Sequence, residues 1–179
     1  LGRSLTRAIK AMTEMQEVVE IFDLPLDIAD PAKPEKMLIK NGNIRFDNIT
    51  FTYQEGAAVF KDFSLEIKSG ERIGIVGPSG AGKSTITKLL LRFADVSSGS
   101  ITVDGQDIRN ITQNDLRGVI SYVPQESILF HRSIRDNIAY GSSKATNRKV
   151  TEVAKKAHAH EFIEKLPQGY ETLVGERGV

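Results

Sequence analysis

The sequence predicts an α/β fold in which an antiparallel β subdomain precedes a partial parallel core sheet and part of a helical subdomain. Three observations lead to this prediction. Apolar and polar residues alternate over 44–46 and again over 63–67, as in half-buried antiparallel strands. A strand-like run with the apolar character of a buried core, 72–76, then leads into a glycine-rich segment where a helix should begin. Beyond residue 126, helix signals replace the strand pattern.

The composition limits the classes of function. With 179 residues, 40% hydrophobic and 26% charged, the chain has the size and character of one globular domain. It has 24 Lys and Arg against 23 Asp and Glu, and the net charge of +1 gives no support for a nucleic-acid or anionic-lipid partner. Cysteine is absent, which excludes disulfide scaffolds, thiolate zinc sites and thiol nucleophiles and fits a reducing compartment. No stretch approaches the ~20 apolar residues of a membrane span, so the chain itself is expected to be soluble.

The first forty residues divide into a helix and a linker. Residues 1–24 carry apolar side chains at spacings of three and four, which predicts an amphipathic helix. Because no N-cap residue precedes it, we expect the helix to continue from an upstream segment, although a free surface helix has the same pattern. Residues 25–40 contain three prolines and many charges, as a linker does, and a domain boundary is expected near Ile39.

The remaining elements follow from local signals. The alternation changes parity near Asn48, which predicts a bulge. Core strands are predicted over 72–76 and 119–123, and a helix is expected to follow the glycine-rich segment to about residue 94. Ser133, three residues before an aspartate, is typical of a helix cap, and 147–166 is predicted to form one helix that ends at a proline.

The glycine-rich segment matches the complete eight-position phosphate-loop pattern between a predicted strand and a predicted helix. Gly80 and Gly82 lack a β-carbon, so successive N–H groups can curve around phosphate oxygens, and the following helix directs its positive end at the same place. Lys83 supplies a charge for the β- and γ-phosphates, and Ser84 offers a hard oxygen ligand to Mg²⁺. A chance match in a turn is the alternative. The candidate ATP-binding residues are Gly77, Pro78, Ser79, Gly80, Ala81, Gly82, Lys83, Ser84 and Thr85.

Four motifs in order resemble one family of phosphate-loop NTPases. They are Phe51-Thr52-Tyr53, Gly70-Glu71, the phosphate loop, and Val123-Pro124-Gln125, and over about 43–179 the chain resembles the nucleotide-binding domain of ATP-binding cassette (ABC) proteins. The resemblance implies an ATP-binding core to about residue 125 and a partial helical subdomain over 126–179.

The resemblance also implies roles for two residues outside the loop. Tyr53 would stack on adenine, although a plain core position in the sheet is the alternative. Gln125 would be the family's glutamine loop, whose amide reaches Mg²⁺ and the attacking water, so that Lys83 and Gln125 are the candidate catalytic residues and Ser84 and Gln125 the candidate metal ligands.

Two further segments, Leu129-Phe130 and Thr172 to Gly178, resemble the exporter branch of the family. This implies an ATP-hydrolysing motor on the cytoplasmic face of a membrane, a bacterial inner membrane by preference. Its partners would be a second nucleotide-binding domain, arranged head to tail, and the coupling helices of a transmembrane domain, which would precede helix 1–24. A soluble ABC ATPase without a transport role and a regulatory nucleotide-binding module are the alternatives. The cargo stays open among lipid, drug, peptide and metal conjugate.

The resemblance places the family's Leu-Ser-Gly-Gly-Gln signature and catalytic glutamate beyond Val179. We therefore expect this chain alone to bind ATP without hydrolysing it, and to be marginally stable because its core sheet would be incomplete. His158 and His160 are expected to be surface helix residues rather than metal ligands.

Overall fold

The computed structural model describes residues 2–24, 26–53, 56–126, 128–142 and 144–175. The chain divides into two compact units, Leu1–Ser121 and Tyr122–Val179. The first begins with helix α1 (Gly2–Phe22), whose apolar side chains Met12, Met15 and Phe22 are exposed. Within the described residues, no helix combines the length and hydropathy needed to cross a bilayer.

An antiparallel sheet forms the centre of the first unit. Its strands are β1 (Ile44–Phe51), β2 (Phe60–Ile67), β3 (Ser98–Val103) and β4 (Gln106–Asp107), in the order β2-β1-β3-β4. The register between β1 and β2 shifts after Phe46, and Asn48 has a φ of 46°. The predicted antiparallel subdomain and the predicted bulge near Asn48 are therefore both confirmed.

Helix α2 (Lys83–Leu90) supplies Ile86 and Leu89 to the hydrophobic core of the first unit. A short 3₁₀ helix (Ile108–Asn110) and helix α3 (Gln113–Gly118) supply further apolar side chains from the C-terminal part of the unit. The core also receives side chains from β1, β2 and β3, so the helix that follows the glycine-rich loop is held by direct packing. Its buried members are Phe46, Ile49, Phe51, Phe60, Ile86, Leu89, Ile101, Val103, Ile108, Ile111 and Leu116.

The two predicted core strands are not formed. Residues 71–77 and 120–124 have neither strand nor helix structure, and Val76 and Val123 are 92% and 85% exposed. A strand requires a neighbour that pairs with its N–H and C=O groups. Among the described residues neither segment has such a neighbour, so the parallel part of the predicted sheet is absent here. Most of its apolar side chains remain exposed, although Ile120 packs against the core.

The second unit consists of a two-stranded ladder and three helices. The ladder pairs β5 (Arg132–Ser133) with β6 (Leu173–Val174), and the helices are α4 (Ile134–Ala139), α5 (Asn147–Lys156) and α6 (His160–Ile163). A 3₁₀ helix, Gly169–Glu171, precedes β6. Ser133 Oγ accepts a hydrogen bond from the N–H of Asp136 at 3.1 Å, which confirms the predicted helix cap.

The prediction of one helix over 147–166 is wrong. Helix α5 ends at Lys156 and α6 begins at His160, because His158 adopts a left-handed conformation with φ 55°. The N–H of Ala159 then bonds the carbonyl of Ala154, which closes the end of α5 as a capping turn does. His160 contacts the Tyr170 hydroxyl at 2.9 Å through Nδ1.

Candidate nucleotide-binding site

The candidate phosphate loop runs from Gly77 into the first turn of α2. Gly80 and Gly82 have φ values of 81° and 82°, in the left-handed region that favours glycine. Gly82 is the N-cap of α2, and no side chain caps this end of the helix. The first N–H groups of a helix have no partner inside it, so this end presents donors suited to an anion.

Gly82 is required for a second reason. A β-carbon at this position would lie 2.8 Å from Val59 Cγ1 and 3.0 Å from Phe60 Cζ, whereas one at Gly80 would meet nothing within 4 Å. The start of β2 therefore packs directly against the backbone of the loop. Such packing fixes where the loop lies relative to the sheet.

Lys83 bends back over the loop that precedes it. Its Nζ donates hydrogen bonds to the carbonyls of Gly77 at 2.8 Å and Pro78 at 2.7 Å. The loop thus holds a mobile cation beside its own free donors. An incoming phosphate oxygen can replace these carbonyls as the partner of the ammonium group, because Lys reaches such a ligand as a point charge on a flexible stem.

The structure brings Tyr53 to the same place. Its hydroxyl lies 3.2 Å from Oγ1 of buried Thr85, in the first turn of α2, and Phe51 meets its ring edge-on with centroids 4.8 Å apart. Tyr53 remains 46% exposed, so it is not a plain core residue. A ring with one accessible surface beside a phosphate loop is suited to a flat base.

Sequence reasoning missed the other side chains near this ring. Lys88 Nζ lies 5.9 Å from the centre of the Tyr53 ring, within the range of a cation–π contact. Lys88 and Phe93 also line a cavity of about 200 Å³, together with Tyr53 and Thr85. A spacing of three residues after Thr85 on the same helix could have indicated Lys88, because such residues share a face. Ser84, by contrast, is exposed on the first turn of α2.

Gln125 and Glu176 belong to the second unit. Gln125 is exposed on an irregular segment, and its predicted role stays a prediction. The prediction that concerns Glu176 lies outside the described residues. The second unit has an apolar cavity of about 390 Å³, lined by residues that include Leu129, Phe162 and Val174.

Comparison with known proteins points to one family. The family model described as ABC transporter matches residues 60–177. An "ATM1-type heavy metal exporter" of Novosphingobium aromaticivorans is 42% identical over the whole chain, which covers 29% of that protein. Human "ATP-binding cassette sub-family B member 6" is 46% identical over 92% of the chain and 19% of its own length.

A relative named for lipid A and a solved structure are also similar to this chain. The "ATP-dependent lipid A-core flippase" of Desulfotalea psychrophila is 41% identical over 94% of the chain and 29% of its own length. A solved structure of a bacterial Atm1-family ABC exporter with ATP bound superimposes with a TM-score of 0.87 at 43% identity, over 94% of this chain and 30% of that one. The chain thus spans less than a third of each of these relatives. The match over residues 60–177 confirms the predicted family, and the chain belongs to the ABC transporter family.

Proposed function

We propose that this chain is the ATP-binding part of an ABC exporter and that it binds MgATP through residues 77–85. The observation that carries the proposal is the geometry of the loop. Two left-handed glycines bring the chain into an uncapped helix end, and the ammonium group of Lys83 lies against the loop carbonyls. Free donors, a helix end and a lysine together fit a polyphosphate.

The base and the phosphates would bind to neighbouring parts of the first unit. Tyr53 would stack on adenine, and its hydroxyl contact with Thr85 keeps the ring beside the helix end that faces the phosphates. Thr85 would contact the α-phosphate, while Lys83 would bind the β- and γ-phosphate oxygens. In this arrangement α2 links the recognition of the base to that of the phosphates.

The residues present also fit a magnesium ion. Ser84 is exposed on the turn that follows Lys83, and a hydroxyl is the hard oxygen ligand that Mg²⁺ accepts. The role proposed for Gln125, a second oxygen ligand, rests on the resemblance to the family alone, since Gln125 belongs to the other unit. When bound, the ion would offset negative charge on the phosphate oxygens.

The proposed whole protein follows from the relatives. Their names describe heavy-metal export and lipid A-core flipping, and one solved relative has ATP bound. We therefore propose that the parent protein hydrolyses ATP at the cytoplasmic face of a membrane. There it would pair with a second nucleotide-binding domain and receive the coupling helices of a transmembrane domain. That the chain alone binds without hydrolysis stays a prediction.

Calorimetric titration with MgATP tests the proposal. We compare the unaltered chain with Lys83→Ala and, as a control, with Lys68→Ala, which removes an exposed lysine near the end of β2. Hydrogen bonds to charged groups contribute about 1.5–3 kcal/mol, so Lys83→Ala should weaken binding by about 10- to 150-fold. Lys68→Ala should leave it unchanged. Equal affinity in the unaltered chain and Lys83→Ala would refute the proposed site, and phosphate release from the same samples measures hydrolysis.

A further inference from the structure

The segment predicted as a linker, 25–40, is hydrogen-bonded at several points to other parts of the first unit. Residues 28–43, hereafter the docking strap, contain no helix and no long strand, yet they form hydrogen bonds with residues between 92 and 113. Met37, in the middle of the strap, packs against the hydrophobic core. The strap has three attachment points, which lie at its C-terminal end, its middle and its N-terminal end.

At the C-terminal end, one carboxylate binds four consecutive backbone N–H groups. Asp104 Oδ2 accepts from Lys40 at 2.7 Å, from Asn41 at 2.9 Å and from Gly42 at 2.9 Å, and Oδ1 accepts from Asn43 at 2.9 Å. These bonds hold the pKa of the Asp104 carboxyl well below its usual range, and the bond from Gly42 has the largest effect. A run of N–H groups that converge on one anion is the nest arrangement, here formed within the chain.

In the middle, side chains bind the strap backbone as a strand neighbour would. Gln106 accepts from the N–H of Leu38 at 2.8 Å and donates to the carbonyl of Lys36 at 3.0 Å. The N–H of Glu35 donates to the carbonyl of Asn110 at 2.8 Å, and the two side chains also bond at 3.2 Å. The strap backbone is thus held from both Gln106 and Asn110.

At the N-terminal end, the strap reaches Arg92, the second residue after α2. Arg92 is only 4% exposed, and its guanidinium donates to the carbonyl of Ala29 at 3.1 Å, to the carbonyl of Ile111 at 3.3 Å and to Asp95 at 3.0 Å. Because a buried guanidinium is costly unless its donors are bonded, the Ala29 carbonyl completes this arrangement.

A second pair of bonds reinforces this end. The backbone N–H of Gln113 donates to Asp30 Oδ1 at 2.8 Å, and its side-chain amide donates to the carbonyl of Ile28 at 3.0 Å. Arg117, one turn further along α3, donates to the carbonyls of Leu91 and Arg92 at 3.0 Å. Just after the end of α2, Arg92 is therefore bonded to the strap through its guanidinium and to α3 through its carbonyl.

The two ends of helix α2 lie at different places, one at the phosphate loop and the other beside the attachment of the strap. It begins at Lys83, in the phosphate loop, and about 12 Å further along its axis it leads into Arg92. A short packed helix moves as one body, so a displacement of its C-terminal end also moves its first turn. We infer that the docking strap positions α2 through Arg92, so that releasing the strap weakens the binding of MgATP at the other end of the helix. This inference rests on the proposed function.

The test releases the strap at the end that is distant from Arg92. Asp104→Asn removes the charge that attracts the four N–H groups, while asparagine tolerates the positive φ of 49° at this position. The matched control is Asp62→Asn, which alters another exposed aspartate with a positive φ, 51°, on β2. Hydrogen–deuterium exchange measures the protection of the strap amides 38–43, and the β1 and β3 amides serve as a check of the fold. Calorimetry measures the Kd for MgATP.

The expected result is faster exchange in the strap of Asp104→Asn, unchanged exchange in β1 and β3, and a Kd for MgATP raised about 3- to 10-fold. Asp62→Asn should match the unaltered chain. If exchange in β1 and β3 also rises, Gln106→Ala, which loosens the middle of the strap, takes the place of Asp104→Asn. Faster strap exchange with an unchanged Kd would overturn the inference. Unchanged strap exchange in both Asp104→Asn and Gln106→Ala would overturn it too. Absence of MgATP binding by the unaltered chain would instead refute the proposed function, and the exchange data would still test the attachment of the strap.

Discussion

Replacement of Gly82 by alanine separates two reasons for glycine in the phosphate loop. The φ of 82° is left-handed, and placing an L-residue there costs about 1–2 kcal/mol. The new β-carbon would also lie 2.8 Å from Val59 Cγ1 and 3.0 Å from Phe60 Cζ. Forcing such overlap in a packed region costs about 1–3 kcal/mol more. The free energy of unfolding should therefore fall by about 2–5 kcal/mol in total.

Gly80→Ala is the matched control, because it has the same backbone strain without the overlap. Its φ is 81°, and a β-carbon there has nothing within 4 Å. We expect a loss of about 1–2 kcal/mol, and the smaller unfolded-state entropy of alanine affects both variants equally.

Urea denaturation followed by circular dichroism measures the difference between the two variants. With a slope of about 1–3 kcal/mol per molar urea, the midpoint of Gly82→Ala should lie about 1 M below that of Gly80→Ala. MgATP titration should show the weaker binding in Gly82→Ala, since the displaced loop no longer lies against β2. Equal midpoints would refute the argument that contact with Val59 and Phe60 fixes the loop.

Three further results are expected. Tyr53→Phe keeps the ring and loses only the hydroxyl contact with Thr85, so it should weaken MgATP binding by less than about 5-fold. Tyr53→Leu removes the ring and should weaken binding by about 10-fold or more. Comparable losses of affinity in the two variants, measured by calorimetry, would contradict stacking. Ser84→Ala should reduce the gain in ATP affinity that Mg²⁺ provides and leave Mg²⁺-free binding unchanged, as titrations with and without EDTA would show. The lowered pKa of Asp104 means that its bonds stabilise the folded strap above the ordinary pKa of about 4 and are lost only as the pH falls towards the folded pKa. Exchange protection of residues 40–43, corrected for intrinsic rates, should hence be the same at pH 7 and pH 5, and a loss of protection by pH 5 would contradict this assignment.

The site was predictable where one local signal determines it. The phosphate-loop spacing predicts the left-handed glycines and the helix that starts at Lys83, since few other geometries suit that pattern. The parity change at Asn48 and the cap at Ser133 are also local, and both are present. Tyr53 came from the resemblance to a family, and its contact with Thr85 depends on a fold that spacing alone does not specify.

The remaining features depend on partners that are distant in sequence. Prolines and charges in 25–40 are typical of a free linker, but the N–H groups of such a segment bind whatever acceptor the fold brings near, here Asp104. Strand-like character over 72–76 predicts a strand only when a neighbouring strand is present to pair with it. The break at His158 was missed because a left-handed conformation is uncommon for any residue other than glycine, and no glycine marks the end of α5.

The two sides of the phosphate loop differ in regular structure and in packing. On the C-terminal side α2 is packed into the core through Ile86 and Leu89, while on the N-terminal side residues 71–77 have no regular structure and Val76 is largely exposed. Ordering a residue of flexible backbone costs about 1–2 kcal/mol in conformational entropy. Nucleotide binding that immobilises the N-terminal side must overcome this cost, whereas the C-terminal side is already in place. If the chain binds ATP as proposed, ordering the segment before Gly77 lowers the affinity, and any contact that pairs residues 72–76 would raise it by preorganisation.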